Sequence, residues 1–103
     1  MNSNKSNEPE IVDVESYARE GREVPPGHQY MIFIDRQKYT VNQECMTGRE
    51  ILFLAEKTPV ERFQLNVRIH GGKVEKVGYD QKICFTRPGV EKFMTIPLDQ
   101  TEG

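Results

Sequence analysis

The chain has no tryptophan, and only two histidines and two cysteines among 103 residues. Metal centres and activated nucleophiles are built largely from those two residue types, so the scarcity restricts the available chemistry. His28 falls in a linker and His70 at a turn. Neither has a partner at a diagnostic spacing, and both read as surface histidines. Cys45 and Cys84 form no close pair and lie beside no His/Cys cluster. They therefore read as free thiols, which suits a cytoplasmic protein. Cys45 stands just ahead of a helix start, where a thiol pKa is lowered. No histidine is near it in sequence, so it reads as an ordinary small side chain. Cys84, between Ile83 and Phe85, reads as packing.

Other features are missing too. No apolar run reaches the length of a membrane span or of a signal-peptide core. There is no basic excess: 14 basic against 16 acidic residues leave a net charge of −2, which argues against a general nucleic-acid binder. Gly71-Gly72 is not a phosphate loop, because no helix with a basic residue follows it. Paired carboxylates such as Glu8/Glu10 fall in polar, unpatterned sequence. No catalytic residue, metal-ligand set or cofactor motif is found, and the chain reads as a non-enzyme.

What is present is enough for one domain: 36% hydrophobic and 29% charged residues over a length with room for a single modest core. The centre of its organisation is Thr47–Pro59, TGREILFLAEKTP. Thr47 is placed to cap a helix and Glu50 to close a capping box. Ile51, Leu54 and Ala55, widened by Leu52, give it an apolar face. Lys57 suits the negative pole, and Pro59 stops the helix. Two to three turns are marginal alone in water, so this helix must pack on something.

Residues 1–10 are polar and expected to be disordered. Residues 11–28 read as an N-terminal extension. Asp13 caps a short helix there, Gly21 ends it, and Val14, Tyr17 and Ala18 share a face. Residues 29–98 read as the folded body. Tyr30–Ile34 is apolar at both parities and predicts a strand covered on both faces. Asp35-Arg36-Gln37-Lys38 is a tight turn into a strand at Tyr39–Val41. After the helix, Leu65, Val67 and Ile69 alternate with Gln64, Asn66 and Arg68 as a half-buried strand. His70-Gly71-Gly72-Lys73 turns into Val74–Val77. Ile83–Phe85 is a short strand, and Phe93–Ile96 the last one, closed by Pro97. This order predicts an α+β fold: a mixed four- to five-stranded sheet packed on one helix, the last strand parallel beside the first. The helix covers one face only. The N-terminal helix with Tyr17 and Val24 is expected to cover Met31 and Phe33 on the other, an interaction partner being the alternative.

Residues 99–103 read as a flexible tail. Leu98, Asp99, Gln100, Thr101 and Glu102 carry no structure signal and lead to Gly103. A terminal glycine carboxylate has no Cβ to accommodate, so it passes a narrow channel and is open to attack from several directions.

The segments TGREILFLA, TP and RPGVEKFMTIP, with the hairpin YMIFIDRQKYTV and the acidic lead-in VDVESYAREGREVP, resemble bacterial multiubiquitin-type domains. These are a branch of the ubiquitin-like β-grasp proteins. The resemblance covers about residues 11–98 and is most specific at TGRE and PGVEKF. It implies a protein modifier. An activating enzyme would adenylate the Gly103 carboxylate and pass it on as a thioester through a conjugating-type enzyme to target proteins. A metal-dependent isopeptidase would remove it, and Leu98–Glu102 would be the tail these enzymes recognise. The free protein would be a cytoplasmic monomer. The chain departs from ubiquitin in ending Thr-Glu-Gly and in carrying Asn66 and Arg68 where ubiquitin's third strand presents an apolar patch. Two other uses of the fold are a non-covalent adaptor and a sulfur carrier with a C-terminal thiocarboxylate.

Overall fold

A computed structural model describes residues 11–26 and 28–98. In chain order the strands are β1 (Ile11–Asp13), β2 (Gln29–Ile34), β3 (Gln37–Val41), β4 (Cys45–Thr47), β5 (Phe63–Ile69), β6 (Lys73–Val77), β7 (Lys82–Cys84) and β8 (Val90–Pro97). Helix α1 (Val14–Arg19) follows β1, and α2 (Gly48–Leu54) follows β4. The main sheet is six-stranded and mixed, in the order β1-β2-β8-β5-β6 with β3 on β2. This exceeds the four to five strands expected, because β1 joins β2 in parallel through Ile11↔Gln29 to Asp13↔Met31. β4 and β7 form a separate two-stranded sheet, so the segment at Ile83 is not part of the main one. β8 lies parallel to β2 at Ile34↔Phe93 and runs antiparallel to β5 from Phe63↔Pro97 to Ile69↔Val90.

Alternation explains which residues form the core. Tyr30, Ile32 and Ile34 of β2 are buried, while Met31 and Phe33 point the other way and are half-buried. Ile51 and Leu52 of α2 are fully buried over that inner face, with Leu65, Val67, Phe85 and Phe93. Leu54 and Ala55 are only half-buried, so the apolar stripe of α2 is narrower than its sequence suggests.

The N-terminal extension serves this same core. Val12 is paired with Tyr30 and so shares its face; Val12, Val14 and Val24 join the buried cluster and Tyr17 packs against it. The Tyr30 hydroxyl donates to the Pro25 carbonyl at 3.0 Å, tying down the Pro25 end of the link. Tyr17 and Val24 thus pack with the cluster that holds Tyr30, Ile32 and Ile34, and Met31 and Phe33, which they were expected to cover, are not among its members.

Two backbone details depart from the sequence reading. α2 ends before Lys57 and Pro59. Glu56 adopts φ 61, its N–H donates to Phe53 O and the Lys57 N–H to Leu52 O, at 3.0 and 2.9 Å. This is a Schellman closure with glutamate where glycine is usual. The β5 strand is also less regular than its alternation implies, because Asn66 is 9% exposed and accepts from Gln64 Nε2 at 3.0 Å.

The β2–β3 hairpin turns on two residues, Asp35 and Arg36, both at positive φ (50 and 73). Asp35 repays its conformation: its carboxylate accepts from Thr95 N at 2.8 Å and from the Thr95 hydroxyl, joining the turn to β8. Arg36 is exposed and has no such return. The left-handed region costs a side-chain-bearing residue roughly 1–2 kcal/mol, against roughly 0.5–1 kcal/mol of extra chain entropy for glycine. Arg36→Gly is therefore expected to stabilise the protein by about 0.5–1 kcal/mol. A urea midpoint that fell instead would refute this account of the turn.

Candidate functional site

The TGRE segment makes the start of α2 a docking point between elements. Thr47 Oγ1 accepts from Glu50 N at 3.1 Å, and Glu50 Oε1 accepts from Thr47 N at 2.9 Å, completing the capping box. The N–H of Gly48 donates to Gln81 O at 3.0 Å, and that of Arg49 to Tyr79 O at 2.8 Å. The 78–81 loop thus takes up free amides of the helix end. Gly48 is buried against the Gly78 carbonyl, where a Cβ would lie 2.3 Å from the oxygen. Arg49 closes the group, pairing with Asp80 at 3.2 Å and lying over the Tyr79 ring.

β4 enters this point and β7 leaves it. Their ladder pairs Cys45↔Cys84, Met46↔Ile83 and Thr47↔Lys82. Cys45 and Cys84 are joined by a disulfide, their Cα atoms 3.9 Å apart. The expectation of two free thiols is overturned. The two residues face each other directly, and the Phe85 N–H donates to Glu44 O just beyond them. That bond makes them a non-hydrogen-bonded pair, the position where cross-strand Cα atoms come closest. Beside this ladder an apolar cleft of about 480 Å³ is lined by Gln43, Met46, Arg49, Glu50, Phe53 and Leu54. Phe53 stands at its rim, 70% exposed.

The other end of the molecule is where β8 delivers the chain. The Leu98 N–H donates to Arg62 O at 2.8 Å, one step past the Phe63↔Pro97 pair. Leu98 borders a cleft of about 240 Å³ with Gln64, Lys76, Val77, Gly78 and Tyr79. The Tyr79 hydroxyl donates to Phe63 O at 2.7 Å, fixing one wall to the first residue of β5.

Of the residues singled out from sequence, Leu98 is thus placed at the end of β8. Asp99, Gln100, Thr101, Glu102 and Gly103 lie outside the described residues, as does the polar segment 1–10. His70 sits at the β5–β6 turn, its N–H bonded to Gly89 O at 2.8 Å, and His28 precedes β2. Among the described residues no group of three or more His, Cys, Asp or Glu side chains is placed to hold a metal ion. No helix among them is long and apolar enough to cross a membrane. Neither the disulfide nor the cleft at Phe53 is marked in the sequence by a spacing or a run.

A family model described as Multiubiquitin matches residues 30–97 of this chain. The chain belongs to the Multiubiquitin family. The matched span runs from the second residue of β2 to the end of β8, and includes the TGRE docking point, the β4–β7 ladder, the cleft at Phe53 and all of the other cleft's lining but Leu98. Helix α1 and β1 precede the matched span, although they complete the core of this Multiubiquitin domain. No curated protein and no solved structure gives a match.

Proposed function

We propose that this Multiubiquitin protein is a ubiquitin-like modifier whose Gly103 carboxylate is the reacting group. An activating enzyme adenylates that carboxylate, a conjugating-type enzyme receives it as a thioester, and an amine or hydroxyl of a target protein accepts it. A metal-dependent isopeptidase reverses the attachment. Such enzymes would be encoded alongside it in a bacterial operon and act in the cytoplasm. The protein is then a substrate and not a catalyst. The observation that carries this reading is the path of β8 in a member of this family. The strand lies between β2 and β5 and brings the chain out at Leu98, five residues ahead of Gly103. Within the described residues the fold supplies two clefts that a partner enzyme can grip.

Incubation with the cognate activating and conjugating enzymes and ATP tests this. The full chain is expected to form a covalent conjugate visible as a mass increase on the target. Deletion of Gly103 is expected to abolish the conjugate and leave the circular dichroism and the melting temperature unchanged. Conjugation that survives the deletion would refute the reading. A non-covalent adaptor is the second reading, favoured by the exposure of Phe53 beside its apolar cleft. It predicts that partner binding is indifferent to Gly103 and is lost on Phe53→Ser.

A further inference from the structure

We propose that Cys45 and Cys84 form a reversible thiol–disulfide latch, opened by a dithiol reductant, that sets the shape of the cleft beside α2. The β4–β7 sheet has only three residue pairs and no third strand. Two-stranded ladders of this size are marginal in water without support. One end of the ladder has that support, because Met46 and Ile83 are buried and Thr47 leads into the docked start of α2. The other end, where the chain enters at Asn42–Glu44, is exposed; the Phe85 N–H donates to Glu44 O, and Asn42 Oδ1 accepts from Gln29 Nε2 at 2.7 Å. The disulfide sits between these two ends.

Two features make the pair a switch and not a buried staple. Cys45 and Cys84 are each half-buried, so a small thiol reaches them. The bond also lies outside the main sheet, at the edge of the common core to which Met46, Ile83 and Phe85 belong. Reduction therefore loosens the entering segment 42–45 against Cys84, while buried Met46, Ile83 and Phe85 keep the rest of the ladder on the core. Gln43 of that segment, with Met46 just after it, forms one wall of the cleft whose other wall is Arg49, Glu50, Phe53 and Leu54. The oxidised latch holds the Gln43 side of that wall in place, and the reduced one releases it. Disulfides in a reducing compartment are usually transient and regulatory, which fits the pair to the cytoplasmic setting proposed above.

The exchange balances as two thiol steps. A thiolate of the dithiol attacks one cysteine sulfur, the S–S bond breaks and the other cysteine leaves as a thiolate that takes up a proton. The reductant's second thiol then closes on the mixed disulfide, releasing the second cysteine. Two electrons and two protons pass to the protein, and the dithiol ends as a cyclic disulfide.

The test uses the full chain, first oxidised with glutathione disulfide and then reduced with dithiothreitol. Iodoacetamide is expected to add two groups by intact mass after reduction and none before. Amide exchange is expected to speed up about tenfold or more in 42–45 on reduction, with β5 and β8 unchanged. The Cys45→Ser/Cys84→Ser double variant should show the reduced pattern under both conditions. Thiols that remain alkylatable after oxidation would overturn the proposal. So would equal exchange in the two states. Exchange rising throughout the chain on reduction would equally overturn it, by making the bond a staple of the whole fold.

Discussion

Phe85→Ala is expected to remove about 3–5 kcal/mol of the free energy of unfolding. The residue is fully buried. Its ring lies 6.2 Å from that of Tyr30 and 6.2 Å from that of Phe93, the latter edge-on at 83°. Tyr30 is on β2 and Phe93 on β8, so Phe85, just past β7, joins Met46 and Ile83 in fixing the small β4–β7 sheet to the main one. Removing it leaves a cavity between two sheets, each held by its own ladder, which limits collapse. Against the roughly 5–15 kcal/mol of an ordinary domain, this is about a fifth or more of the total. Urea denaturation followed by tyrosine fluorescence would measure it. A loss below about 1 kcal/mol would show that the two sheets are held together by something else.

Gly48→Ala should be the most damaging change that adds a single methyl group. Inside a helix, glycine to alanine is favourable by about 1 kcal/mol. Here the new Cβ would stand 2.3 Å from the Gly78 carbonyl oxygen and 3.1 Å from its carbon. Neither side yields easily. Gly48 N is bonded to Gln81 O, Arg49 N to Tyr79 O, and Gly78 N to the Gln81 side chain at 2.9 Å. The helix end and the loop must part, breaking the hydrogen bonds of these amides. Forced overpacking costs about 1–3 kcal/mol, against the propensity gain of about 1 kcal/mol. With both sides held, the upper end applies: a net loss approaching about 2 kcal/mol is expected, or roughly 8–16 °C in melting temperature for a domain of this size. A rise in melting temperature would mean that propensity outweighs the contact.

The same glycine shows what was readable in advance. TGRE was legible as a helix start because capping is local chemistry: a hydroxyl, a carboxylate and three residues of spacing. Its glycine and arginine have no local reason, since both serve the 78–81 loop, thirty residues further along the chain. The strands β2, β5 and β8 were legible from their apolar patterning, and so was the parallel placing of β8 beside β2. β1 and β4, at three residues each, are too short to show a period. The end of α2 was misjudged because Glu56 takes a left-handed conformation that its residue type does not announce. Asn66 departs from the alternating rule by bonding to Gln64 within its own strand. The disulfide joins residues 39 apart in sequence, a pairing that only the ladder between β4 and β7 brings about. Of the tail, the structure places its root at Leu98.

That root has a geometric consequence for any enzyme that handles the far end. With the Leu98 amide fastened to Arg62, a Gly103 that reacts as proposed lies five residues beyond the anchor. Even fully stretched they cover about 17 Å. A catalytic centre lying deeper than that beneath the enzyme's surface is out of range unless the Arg62 bond is surrendered and β8 peels back from β5.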